Sequence, residues 1–217
     1  MLYRAKGASK MGDDNIMEYN GGSVVALTGK NCVAIACDLR YGERNQTVSM
    51  NFPKIFREGE RCLVGTSGLA TDIQTFTQLI HSQANMYRLR EDREVQPRVL
   101  ASMISSLLYD HRWGPYFMEP VIAGLDKDNK PFICSTDLIG CLAFAEDFIC
   151  AGTATEAMMG VCEALWKPDL EPDDLFEVAS QCLLAAIDRD AFSGWGAMVY
   201  VLTPEELVTK EIRTRQD

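Results

Sequence analysis

Thiol or soft-metal chemistry would have to be built from eight cysteines, at 32, 37, 62, 134, 141, 150, 162 and 182, and two histidines, His81 and His111. Their spacing argues against that chemistry. No two cysteines form a CxxC pair, and most lie inside apolar stretches such as Cys-Val-Ala-Ile-Ala-Cys at 32–37. A free cysteine in such a setting packs as a small hydrophobe, so neither a zinc site nor a disulfide framework is expected. Free thiols suit a reducing compartment, the cytoplasm or nucleus. His111 falls at the end of a helical pattern, where a capping role accounts for it. Five acids between 168 and 177, with Pro172 among them, suit a helix entry, because the dipole favours negative charge there.

Composition narrows the class. The 217 residues carry 21 Lys and Arg against 31 Asp and Glu, a formal charge of −10, which argues against a dedicated nucleic-acid binder. Hydrophobic residues at 47% and charged residues at 24% exclude a disordered chain. No wholly apolar run exceeds six residues, as at 32–37, where a membrane helix needs roughly 18–20. The first ten residues carry Arg4, Lys6 and Lys10 but no apolar core of a secretory leader. No metal, cofactor, nucleic-acid or membrane partner is therefore expected.

The elements that must position any site follow from the hydrophobic pattern. Residues 1–22 read as an irregular, polar arm ending in Asn20-Gly21-Gly22. Two apolar runs, 23–28 and 32–37, flank the turn-like Gly29-Lys30-Asn31 and predict a hairpin covered on both faces. A further strand is predicted over 61–65. Ile73, Phe76, Ile80, Ala84 and Tyr87 then step as one helix face, and Leu100, Ile104, Leu107 and His111 line a second helix after Pro97. Strands return at 120–124, 131–134 and 148–151. Two more helices carry Ala154, Met158, Val161 and Leu165, then Leu175, Val178, Cys182 and Ala186. A closing hairpin spans 197–202 and 207–213. Two sheets stacked together, each covered by a helix pair, satisfy this order. The fold class is α+β, a four-layer αββα sandwich of two mainly antiparallel sheets, with one domain over 23–217.

Several strings, in order, carry a family resemblance: Val33-Ala-Ile-Ala-Cys-Asp38-Leu-Arg40, Gly68-Leu-Ala-Thr-Asp72, Gly114-Pro-Tyr116 and Asp188-Arg-Asp190-Ala-Phe-Ser193-Gly194. With Phe132-Ile-Cys-Ser135, Asp137-Leu-Ile-Gly-Cys141 and Glu163-Ala-Leu-Trp166, the chain resembles proteasome beta subunits over nearly everything after residue 15. The resemblance implies the N-terminal nucleophile hydrolase fold, itself an αββα sandwich. Active members attack a peptide carbonyl with an N-terminal Thr freed by self-cleavage after a Gly, and the freed amine helps as base.

Carried over position by position, the resemblance places the family's tuning Asp on Asp38, its Lys on Lys54 and its oxyanion-hole glycine on Gly68. The Asp and Ser near the nucleophile match Asp190 and Ser193. The nucleophile itself falls on Gly22, which has no side chain to attack with and cannot carry the acyl shift of self-cleavage. The resemblance therefore implies a degenerate site, an uncleaved arm, and Lys54 and Asp38 kept as a structural ion pair. The alternative is an active peptidase self-processed at Gly22-Ser23 with Ser23 as nucleophile. Against it, a shift of one residue along a strand turns the side chain to the opposite face.

The implied role is that of a non-catalytic beta subunit of the 20S core in ATP- and ubiquitin-dependent protein degradation. Its implied partners are the other alpha and beta subunits of a 28-subunit stacked-ring particle. The loop holding Asp137 and Cys141 resembles the segment that lines the pocket of an adjacent trypsin-like subunit, where an acid favours basic peptide side chains. The plainer reading of Asp137 is the cap of a turn. Met11 is a possible start, which would leave residues 1–10 as an extra segment.

Overall fold

In a computed structural model that describes residues 15–216, the two early apolar runs become β1 (Ser23–Gly29) and β2 (Cys32–Asp38), every residue of both buried. Then come β3 (Tyr41–Glu43), β4 (Gln46–Ser49), β5 (Ile55–Arg57), β6 (Cys62–Gly68), α1 (Ala70–Glu91) and α2 (Pro97–Asp110). The second half holds β7 (Met118–Leu125), β8 (Pro131–Thr136), β9 (Leu142–Ala145), β10 (Phe148–Gly152), α3 (Thr155–Leu165), α4 (Pro172–Ile187), β11 (Ala197–Leu202) and β12 (Leu207–Ile212).

Two five-stranded antiparallel sheets result, one in the order β10-β1-β2-β11-β12 and the other β5-β6-β7-β8-β9. Side-chain alternation divides each central strand between two cores. Val25, Leu27, Ala34 and Ala36 pack under α3 and α4 with Met158, Leu175 and Leu183. Val24, Ala26, Val33 and Ile35 face the second sheet and meet Leu63, Val121 and Ile133. On the far side of that sheet, Val64, Ile122 and Cys134 pack with Ile73, Phe76, Leu100 and Ile104 of α1 and α2. Each fully buried aliphatic side chain contributes about 1.5–3 kcal/mol, which is why fully apolar strands demand four layers. The expected αββα sandwich is the observed fold.

The differences are local. Leu107, Val161 and Val178 are only partly buried, and their neighbours Leu108, Cys162 and Ala179 take the core positions. The apolar stripe of each helix is wider than a single row, so the sheet meets it one residue further round. The predicted helix entry at Pro172 is present, with Asp173 and Asp174 in its first turn. His111 takes the C-terminal cap position of α2, its Nδ1 3.0 Å from the Leu107 carbonyl. Among the described residues, no helix is long and apolar enough to cross a membrane.

The first 14 residues of the expected arm, with Met11 and the basic residues Arg4, Lys6 and Lys10, lie outside the described residues. The rest of the arm is not the loose segment its polarity predicts. Residues 16–18 form one 3-10 turn capped by Asn15, and Asn20, Gly21 and Gly22 are buried. Asn20 explains the order. Its Oδ1 accepts from the Ala70 amide at 2.9 Å and its Nδ2 donates to the Gly42 carbonyl at 2.8 Å. The N-cap residue of α1, Leu69, has no acceptor of its own, so Asn20 satisfies an orphan donor of that helix from 50 positions away.

Candidate functional site

The end of β2 places Asp38 in complete burial, where an ionised carboxylate is tolerable only if its lone pairs are filled. They are. Oδ1 accepts from the Ser23 amide and from Lys54 Nζ, both at 2.9 Å. Oδ2 accepts from the Arg40 and Gly194 amides, both at 3.1 Å. Lys54, itself 1% exposed, also donates to the Arg40 carbonyl at 2.7 Å and the Asp38 carbonyl at 3.2 Å. Three acceptors answer three ammonium protons, and none is left to move during a reaction.

Gly22 abuts this pair. Its φ of +125° lies where side chains are rarely tolerated, and a Cβ built on it would fall 2.5 Å from Lys54 Cε. The stem of Lys54 thus occupies the volume a nucleophile's side chain would need. Gly22's carbonyl accepts from the Thr153 amide at 3.0 Å, which holds the bond before Ser23 within the fold. Ser23 is fully buried on the other face. Its Oγ accepts from the Ala154 amide at 3.1 Å, at the start of α3, as the one-residue shift predicts.

Asp190 and Ser193 join the same region through Thr153. Asp190 Oδ2 accepts from Ser193 Oγ and from Thr153 Oγ1, each at 2.5 Å, and its Oδ1 accepts from the Phe192 amide at 3.0 Å. Gly68 stands apart from the ion pair. At φ +121°, its Cβ position would lie 2.5 Å from the Phe117 carbonyl and 3.0 Å from Met17 Cε, so the segment before β1 covers it. Gly68 opens instead onto a cleft of about 710 Å³ that is also lined by Asp137, Cys141 and Thr153. Asp137 caps its own turn: Oδ1 accepts from the Ile139 amide at 3.0 Å and the Cys141 amide at 2.8 Å, and both Asp137 and Cys141 are exposed. The structure therefore gathers Gly22, Asp38, Lys54, Asp190 and Ser193 in one hub and leaves Gly68, Asp137 and Cys141 on the cleft beside it.

Three residues of the hub escape sequence reasoning: Asn20, Thr153 and Arg40. Arg40 is 1% exposed and spends its guanidinium on the Phe192 carbonyl at 3.1 Å, the Arg44 carbonyl at 2.7 Å and Thr47 Oγ1 at 3.0 Å. Burial pulls its ionisation below the ordinary arginine value, and the Asp38 and Asp190 charges oppose that pull. A charged residue two positions past a fully apolar strand was the available signal. Beside the pair, burial pushes the Cys37 thiol up to about 12 against the pull of Lys54, so it stays protonated near neutral pH. Among the described residues, no group of three or more His, Cys, Asp or Glu is arranged to hold a metal ion.

The family described as "Proteasome subunit" matches residues 18–202. Among similar proteins, the probable proteasome subunit beta type-3 of Schizosaccharomyces pombe is 54% identical over 203 residues, 94% of this chain and all of the relative. The proteasome subunits beta type-3 of Dictyostelium discoideum and Drosophila melanogaster are 53% and 52% identical over 204 residues, with the same coverage.

Two outcomes are expected of the hub. Lys54→Ala strands a buried carboxylate and should cost roughly 3–5 kcal/mol, seen as a lowered denaturation midpoint or failed assembly. Loss of one peptidase class in fully assembled particles of normal stability would contradict this. Gly22→Thr should destabilise by about 1–3 kcal/mol through backbone strain alone, with the Lys54 overlap adding to it. Intact mass should show that variant still uncleaved before residue 22.

Proposed function

The chain belongs to the proteasome subunit family, and from that premise we propose that it is a non-catalytic beta subunit of the 20S core. The observation that carries this reading is the Gly22–Lys54 contact. The nucleophile position has no side chain, and the lysine stem fills its space with all three ammonium protons engaged. Self-cleavage and peptide attack both need a hydroxyl at that place, and the free amine that would serve as base arises only from self-cleavage. Residues 1–22 then stay attached to the domain over 23–217.

The competing reading, with Ser23 as nucleophile, is opposed by the hydroxyl's engagement with Ala154 on the face away from Lys54. Rotating that strand by one residue would also exchange the two cores that β1 divides.

The work of such a subunit is geometric. It closes the beta ring, walls the chamber and braces active neighbours in a 28-subunit stack of alpha and beta rings, in cytoplasm and nucleus, during ATP- and ubiquitin-dependent degradation. Large apolar side chains left on the surface support a life among partners: Trp113 is 89% exposed, Leu89 83% and Val48 59%. Asp137 serves two purposes in this reading. One oxygen closes its turn, and its negative charge on an exposed loop, with Cys141 beside it, helps line an adjacent trypsin-like pocket.

The test is an intact mass and N-terminal sequence of the chain from its native assembly. The mature chain should begin upstream of Gly22. A chain beginning at Ser23 would end the non-catalytic reading. Asp137→Asn isolates the pocket role, because asparagine keeps the oxygen that caps the turn and loses only the charge. Assembled particles should form normally and show weaker cleavage after basic residues, measured with fluorogenic peptides. Unchanged trypsin-like turnover would leave Asp137 with its turn alone.

A further inference from the structure

The cleft beside the hub is formed wholly by this chain, at the open end of the space between the two sheets. Deeper in that space, Val121, Ile133 and Ala151 pack as core. At the mouth, the second sheet changes character. Ser67 pairs with Glu119 across β6 and β7, and Val121 pairs with Ser135 across β7 and β8. Extending that last register by two residues sets Glu119 opposite Asp137. One row across three strands thus reads hydroxyl, carboxylate, carboxylate.

Directly opposed like charges in a sheet are unfavourable. Burial pushes the Glu119 carboxyl above its usual range, a hydrogen bond from the Gly152 backbone opposes this, and the Asp137 charge adds to the push. Glu18 and Glu156 also line the cleft, and its described lining residues include no Lys, Arg or His. Nothing in the wall offsets this charge.

A second observation is independent of charge. Ser67 Oγ and Thr136 Oγ1 line the same cleft, in residues 1% and 4% exposed, and among the described residues neither has a hydrogen-bond partner. Buried hydroxyls are normally satisfied, and leaving one unmatched is costly. An acid row with unmatched hydroxyls along its wall wants a ligand that is positively charged and rich in N–H donors. A volume of about 710 Å³ is that of a small organic ligand's pocket rather than of a single ion.

We propose that this cleft is a binding site for an organic cation, an alkylammonium or guanidinium group, held by Glu119 and Asp137 with Ser67 and Thr136 completing its hydrogen bonds. The site needs no residue from a neighbour, so it stands whether or not Asp137 also serves an adjacent pocket. The cation is either a lysine or arginine side chain of a peptide or a free polyamine, and both offer the same chemistry.

Cys141, exposed at the cleft's rim, reports occupancy. The full chain, in the assembly in which it purifies, is alkylated with neutral iodoacetamide, and modification of the Cys141 peptide is followed by mass spectrometry. Nα-acetyl-lysine methylamide and spermidine are titrated as probes, with pentanol as the neutral control. Either ammonium probe should slow alkylation and pentanol should not. Protection at lower concentration by the lysine amide assigns the site to peptide side chains, and by spermidine to free polyamines. Glu119→Gln should raise the half-protecting concentration about tenfold, the usual scale of one charge-assisted hydrogen bond. If that variant does not fold, Ser67→Ala should still weaken protection. Absence of protection by both amines, equal protection by pentanol, or protection unchanged in the variant that folds would each overturn the proposal.

Discussion

A single buried carboxylate constrains this molecule more than any apolar contact does. Asp38 ends one central strand, and the four donors on its oxygens come from the start of β1, the segment after β2, Lys54 ahead of β5, and the approach to β11. Five stretches of chain, from Ser23 to Gly194, must arrive at the same place before the charge can be buried at all. Desolvating two ions costs several kcal/mol each, and the pair recovers this only if every remaining hydrogen bond is made. The hub therefore does little for net stability and much for uniqueness: any arrangement that misplaces one of its segments leaves a charge or an amide unsatisfied.

That requirement explains how a catalytic-type constellation persists around a glycine. Lys54 and Asp38 do not need a nucleophile to justify their burial, because the amides of Ser23, Arg40 and Gly194 would otherwise lack an acceptor. Further out from the pair, Arg40 has a similar role, binding carbonyls of Phe192 and Arg44 that no strand satisfies. Once position 22 has no side chain, the lysine stem can lie against the backbone, and the contact closes the volume in which chemistry would occur.

Most of the fold could be read from the sequence because its central strands are apolar on successive residues. Such a run cannot be covered from one side, and 23–28 with 32–37 already require a layer on each face. The strands that escaped notice lack this signal. Gln46–Ser49 has no buried residue, Tyr41–Glu43 and Ile55–Arg57 are three residues long, and Leu142–Ala145 is an edge strand with Phe144 exposed. The site divides in the same way. Asp38, Lys54, Gly68, Asp190 and Ser193 were legible by resemblance, and Asp137 by the turn it caps. Asn20 and Thr153 were not. Their roles are created by Ala70 and Asp190, 50 and 37 positions away, and a lone polar residue carries no local mark of a distant partner.

The two carboxylate systems at this end of the sandwich are opposite solutions to one geometric problem. Where two sheets diverge, apolar packing stops and backbone amides, turns and side-chain charges must be accommodated together. On the β1–β2 side the chain brings a lysine and three amides to one carboxylate and seals it from solvent. On the β6–β8 side it sets carboxylates in a row, leaves two hydroxyls unmatched and keeps the mouth open. Charge that is matched internally gives rigidity and no chemistry. Charge that is left unmatched beside a cavity is available to whatever enters, so the capacity to interact has moved from the closed hub to the open cleft next to it.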